Sequence, residues 1–76
     1  MNRLGIVLHV SKSKKLILRT KVKTKIGMQV LDEELKPIGR IMDVFGPLKS
    51  PYISVAPIID GFQRYVGCPL YIVGRE

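Results

Sequence analysis

IGRIMDVFGPLKSPYISVAP, residues 38–57, is the stretch on which the fold turns. Residues 38–45 form a short run of β-branched, aliphatic and aromatic side chains, and Gly46-Pro47 ends it, because a proline nitrogen has no proton to give to a strand ladder. Residues 52–56 form a second such run, fenced by Pro51 and Pro57. Gly39, inside the first run, marks a bulge or a sharp bend of the kind that barrel corners need.

Outward from this block the same grammar repeats. Toward the N-terminus, residues 5–10 alternate Ile6, Leu8 and Val10 with Val7 and His9, and the polar Ser11-Lys12-Ser13-Lys14 reads as a hairpin loop. Residues 16–22 set Leu16, Leu18 and Val22 against Ile17, Arg19 and Lys21. A turn at 24–27 leads to a short strand at 28–31, and Asp32-Glu33-Glu34 is a solvated turn. Toward the C-terminus, residues 69–73 give a sixth strand. No segment holds a 3.6-residue apolar period over a dozen positions, so no helix is predicted.

Six short strands in 76 residues cannot fill two separate sheets. Closing one sheet on itself removes its edges and shares a single core. The expectation is therefore an all-β chain: a single domain over residues 1–76 forming a small closed six-stranded barrel of the translation-protein (reductase/elongation-factor) kind. Strict alternation then places Ile6/Leu8, Leu16/Leu18, Ile53/Val55 and Leu70/Ile72 inside. Val7, Ile17, Tyr71 and Val73 are left facing out. With first and last strands adjacent, those four would make one apolar patch, which is the signature of a partner surface.

The charge is lopsided. Thirteen basic residues against six acidic give +7, and residues 1–25 hold eight cations (Arg3, Lys12, Lys14, Lys15, Arg19, Lys21, Lys23, Lys25) with no acid. Such density attracts polyanions by counterion release, which points to life in or beside a nucleoprotein, with Lys12, Lys14, Lys15, Arg19, Lys21, Lys23 and Lys25 as candidate RNA-facing residues. Backbone attraction of this sort gives affinity with little sequence reading. The five aromatics, Phe45, Tyr52, Phe62, Tyr65 and Tyr71, do not alternate along one strand as a base-stacking platform requires.

Chemistry is poorly equipped. One Cys (Cys68) and one His (His9) stand far apart with no visible orienting group, and one thiol excludes an internal disulfide and any paired-thiolate zinc site. Phosphate-loop glycine patterns are absent. The reading is of a non-enzyme with no catalytic residue, no metal, no cofactor and no small-molecule substrate. The apolar runs are far too short to span a bilayer and the N-terminus lacks a cleavage-site pattern, so the expected setting is soluble and intracellular, without membrane contact.

What remains is the segment 39–52. Asp43 can accept backbone N–H groups in the adjoining turn, Gly46 supplies positive φ, and Pro47 and Pro51 stiffen the loop. A stiff loop loses little entropy on docking, and Phe45 and Tyr52 flank it as large anchors. The alternative is a barrel turn whose Phe45 fills the core.

Three blocks, LGIVLH (residues 4–9), IGRIMDVFGPLKSPYISVAP and YVGCPLYIV (residues 65–73), resemble in order and spacing the core domain of the glycine-arginine-rich-domain protein of H/ACA ribonucleoproteins. The DVFGP…PY block is the specific part. The chain looks like an archaeal version: Gly-Arg occurs only at 39–40 and 74–75, so the glycine-arginine-rich tails are missing. A related assembly factor shares this core domain. The resemblance implies a six-stranded barrel that binds the catalytic domain of the guide-dependent pseudouridine synthase, touches guide RNA indirectly or weakly, and assists substrate loading and product release. Its setting would be the cytoplasm of an archaeal cell, or the nucleolus in a eukaryote. It carries partner contact onto Val44, Phe45, Gly46, Pro47, Pro51, Tyr52, Tyr65, Val66 and Gly67, to which the alternation adds Val7, Ile17, Tyr71 and Val73. The competing reading is a free-standing basic RNA-binding barrel of ribosomal-protein type.

Overall fold

A computed structural model describes residues 2–73. Six strands succeed one another in chain order: β1 (Asn2–Val10), β2 (Leu16–Arg19), β3 (Gln29–Leu31), β4 (Pro37–Phe45), β5 (Tyr52–Pro57) and β6 (Pro69–Ile72). A 3-10 turn at Phe62–Tyr65 stands between the last two. The strands close in the order β1-β2-β5-β4-β3-β6, with every pairing antiparallel. The barrel expected from the sequence is therefore present, and the first and last strands are neighbours.

The core is a layer of aliphatic side chains drawn from all six strands. Leu16, Leu18, Ile53, Val55, Leu70 and Ile72 point inward as alternation requires, joined by Val30, Ile38 and Ile41. Sheet closure in so short a chain needs close backbone approach at the corners. Gly39 provides one: a Cβ there would strike the Ala56 carbonyl oxygen and lie 3.0 Å from Val55 Cγ1. Gly5 provides another, where a Cβ would strike the Arg19 carbonyl oxygen.

β1 corrects the alternation. Ile6 and Leu8 are 43% and 50% exposed, whereas Val7 is 1% exposed and lies in the core with Leu4. Two register shifts are the reason. One falls between Arg3 and Gly5 against β6, the other between Val7 and His9 against β2. Each inserts a residue and reverses the facing of the residues beyond it, so strict period-2 reading fails across the strand. The outward patch of Val7, Ile17, Tyr71 and Val73 is thereby dissolved. Val7 is internal, Ile17 is buried between His9 and Ser54 in the ladder, Tyr71 is half-buried beside Arg3 and Leu31, and only Val73 is exposed.

The acidic turn is also different from its expectation. Asp32 is buried, not solvated: its Oδ1 accepts the Glu34 and Lys36 N–H groups, each at 2.9 Å, and its Oδ2 accepts the Tyr65 hydroxyl at 2.8 Å. Burial pushes this carboxyl up, but the Lys36 N–H, the Tyr65 hydroxyl and the Glu34 N–H, aided by the Lys36 charge, outweigh it and hold Asp32 below the usual carboxylate range. Burial and the Asp32 contact push the Tyr65 phenol up. Tyr65 is thus a core residue and not a partner contact, which corrects its assignment; Val66 and Gly67 beside it are exposed.

Candidate partner-docking site

β4 runs from the acidic turn at one end of the barrel to the stiff loop at the other. At the loop end Phe45 stands opposite Tyr52, and Tyr52 stands opposite Arg19. This places three outward side chains in a row across β4, β5 and β2. The Phe45 and Tyr52 rings stack with centroids 5.7 Å apart and planes inclined by 23°. The Arg19 guanidinium lies 4.7 Å from the centre of the Tyr52 ring, and its Nη2 donates to the Tyr52 hydroxyl at 3.0 Å. A cation over a ring and an offset ring pair each contribute on the order of 0.5–1 kcal/mol at an exposed site, enough to hold the rotamers of the row.

The row braces the loop 46–51. Gly46 sits at φ 94, a conformation that favours glycine, packed against the Tyr52 ring. The Thr20 N–H donates to the Pro51 carbonyl at 3.0 Å, and the Thr20 hydroxyl accepts the Val22 N–H at 3.1 Å, so the loop base is tied to the end of β2. Between residues 21–24 and residues 44–51 lies an open groove of about 460 Å³. Val44, Phe45, Pro47 and Leu48 form its apolar wall, and Lys21, Lys23 and Lys49 its cationic rim. Leu48 is 99% exposed and Phe45 nearly half exposed, so Phe45 does not fill the core.

The sequence-predicted residues therefore sort by place. Val44, Phe45, Gly46, Pro47, Pro51 and Tyr52 come together with Arg19, Lys21 and Lys23 at this end. Lys12, Lys14 and Lys15 sit on the β1–β2 hairpin at the other end of β2, roughly 13 Å away for a four-residue strand. Lys25 is exposed in the segment leading to β3. Val66, Gly67, Tyr71 and Val73 lie outside the groove lining. Two participants escape sequence reasoning. Arg19 reads only as an RNA-facing cation, although its position beside Tyr52 is a consequence of pairing register; Leu48 attracts no notice, although it stands mid-loop between two prolines.

The opposite end holds a cleft of about 230 Å³ bounded by Asp32, Glu33, Glu34, Lys36 and Arg64. Its buried polar atoms satisfy one another, as the Asp32–Tyr65 contact shows, and the Cys68 thiol donates to the Arg64 carbonyl at 3.6 Å. Among the described residues no three His, Cys, Asp or Glu side chains gather as metal ligands, and no helix is long and apolar enough to cross a membrane.

Comparison with known proteins gives relatives without a described function. The chain is 36% identical over 76 aligned positions to an uncharacterised protein of Methanothermobacter thermautotrophicus, covering 95% of this chain and 83% of the relative. It is 42% identical over 52 positions to an uncharacterised protein of Methanocaldococcus jannaschii, covering 68% of this chain and 63% of that relative. No established protein-family profile matches. The chain belongs to the family of the Methanothermobacter protein, which is represented in archaea.

Proposed function

We propose that this barrel is a non-catalytic accessory subunit of an H/ACA-type guide-RNA ribonucleoprotein in the archaeal cytoplasm. It binds the catalytic domain of the pseudouridine synthase and assists substrate loading and product release in RNA pseudouridylation, chiefly of rRNA during ribosome biogenesis. The reading is supported by the resemblance of the DVFGP…PY block, and one observation carries it physically. The loop 46–51 is flanked by the Arg19–Tyr52–Phe45 row, tied at its base to Thr20, and projects a fully solvated Leu48 beside half-exposed Phe45 and Val44. A pre-ordered apolar projection of this kind suits a partner surface, because it loses little entropy on docking.

Such a subunit acts on turnover only by binding one conformation of the enzyme's substrate-gripping loop better than another, and about 1.4 kcal/mol of preference shifts that equilibrium tenfold. The test is a binding assay between the purified barrel and the synthase of the same cell, without guide RNA. Retention is the expected result, and Phe45→Ala should weaken it about 30-fold, the scale of an anchor worth ~2 kcal/mol. Association only when RNA is present would refute the reading.

A second reading has its own observation. Arg19, Lys21, Lys23 and Lys49 gather at the loop end, which suits a free-standing basic RNA-binding barrel. It requires binding to RNA alone with steep salt dependence, which titration at two ionic strengths decides.

A further inference from the structure

β3 and β4 differ greatly in length, three residues against nine. β3 covers β4 only over residues 37–40. The last backbone bonds across that edge run from the Gly27 N–H to the Ile41 carbonyl at 2.7 Å and from the Ile41 N–H to the Met28 carbonyl at 2.9 Å. Beyond Ile41, among the described residues, β4 pairs with β5 alone. The barrel therefore closes as a whole but leaves the last four residues of β4 with an open edge, and that stretch ends at the groove. An open edge of exposed backbone donors and acceptors is the template on which an extended segment adds as a strand.

We infer that the edge of β4 at residues 42–45 receives an extended acidic segment of the partner polypeptide as an added strand, its apolar side chains lying on Val44 and Leu48. This rests on the docking reading above and specifies how the partner is held. Charge selects the occupant. Lys21, Lys23 and Lys49 rim the groove, and no carboxylate lines it; Asp43, the one acid on this part of β4, stands opposite Ser54. A segment with carboxylates on one face and aliphatic groups on the other matches both the rim and the wall. Unpaired RNA bases fit less well. Tyr52 lies between Arg19 on one neighbouring strand and Phe45 on the other, so its ring is already engaged on both flanks, and phosphates would leave the apolar wall uncovered.

Amide hydrogen exchange read by NMR tests this on the whole protein, free, with the synthase, and with a twelve-nucleotide oligouridylate. The expected result is at least tenfold slower exchange of one or more amides within 42–45 in the synthase complex, with no such slowing by the oligonucleotide. The doubly charge-reversed variant Lys21→Glu/Lys23→Glu should bind the synthase about tenfold more weakly at low salt, and the difference should narrow at high salt. Both sites are exposed, so the variant keeps its fold. A complex that forms while these amides exchange as in the free protein, or that ignores the charge reversal, overturns the added strand and leaves the docking reading standing. Slowing by the oligonucleotide instead assigns the edge to RNA and overturns the inference. Absence of any complex overturns both.

Discussion

Replacing Tyr65 by Phe removes one hydroxyl from the interior and keeps the ring, so its effect reports chiefly the contact with Asp32, beside the longer bond the hydroxyl accepts from Arg64 Nη2 at 3.4 Å. That hydroxyl donates to Oδ2 at 2.8 Å, with both residues under a tenth exposed. Hydrogen bonds to a charged group contribute about 1.5–3 kcal/mol, and the Glu34 and Lys36 N–H groups remain on Oδ1 in the variant, which argues for the middle of that range, about 2 kcal/mol. For a domain of this size that lowers Tm by about 8–16 °C. The effect also has a pH signature. Asp32 is held below its ordinary value, so its stabilisation is complete above the unfolded-chain pKa near ~3.9 and is lost as pH falls through the lower folded value. Tyr65→Phe removes part of that depression. Thermal melts monitored by circular dichroism should therefore show the full difference from the parent at pH 7 and a shrinking one below about pH 4. Equal melting temperatures at pH 7, or a difference unchanged down to about pH 2.5, would contradict the account of a buried charge stabilised by the phenol.

Two further substitutions test the architecture in urea titrations. Val7→Ala removes buried volume and should cost about 2–3 kcal/mol, while Leu8→Ser on the solvent side should stay within about 0.5 kcal/mol; the strict alternation of β1 requires the reverse order. Gly39→Ala drives a Cβ into the Ala56 carbonyl, a backbone obstacle, and should cost about 1–3 kcal/mol; an unchanged midpoint would remove Gly39 as a barrel corner.

The strand pattern makes the barrel legible because runs of β-branched residues between Gly and Pro leave few alternatives in a chain too short for two cores. The inward faces of β2, β5 and β6 are legible too, since β2 holds an unbroken register with β5 and Leu70/Ile72 form an inward pair. β1 is not. Its two register shifts depend on what β2 and β6 present at a distance, and nothing local to residues 2–10 announces them beyond Gly5. The burial of Asp32 is hidden for the same reason, because its phenol partner lies 33 residues away. At the loop end, Phe45 and Tyr52 are visible as the residues flanking a loop bounded by Gly-Pro and Pro. Their stacking with Arg19, and the shortness of β3 that bares the β4 edge, are properties of cross-strand pairing and not of any single segment.

β4 is anchored by different contacts at its two ends. At one end the Asp32 carboxylate gathers the Glu34 and Lys36 N–H groups while the Asp32 N–H donates to the Lys36 carbonyl at 3.0 Å, which fixes Leu31 opposite Pro37. A slip of one residue there would turn Ile38, beside the turn, out of the core. That turn fixes β4 only at the end paired with β3. One register shift falls between Val30 and Leu31 and a second, against β5, between Ile41 and Asp43, so the position at which Phe45 meets Tyr52 is set by the β4–β5 pairing beyond the second shift. The loop relies on local anchors, because a β4–β5 hairpin free to slide would lose the Arg19–Tyr52–Phe45 row at its base. The buried acid and the exposed apolar loop are thus held by separate contacts, the first fixing where β3 meets β4 and the second where β4 meets β5.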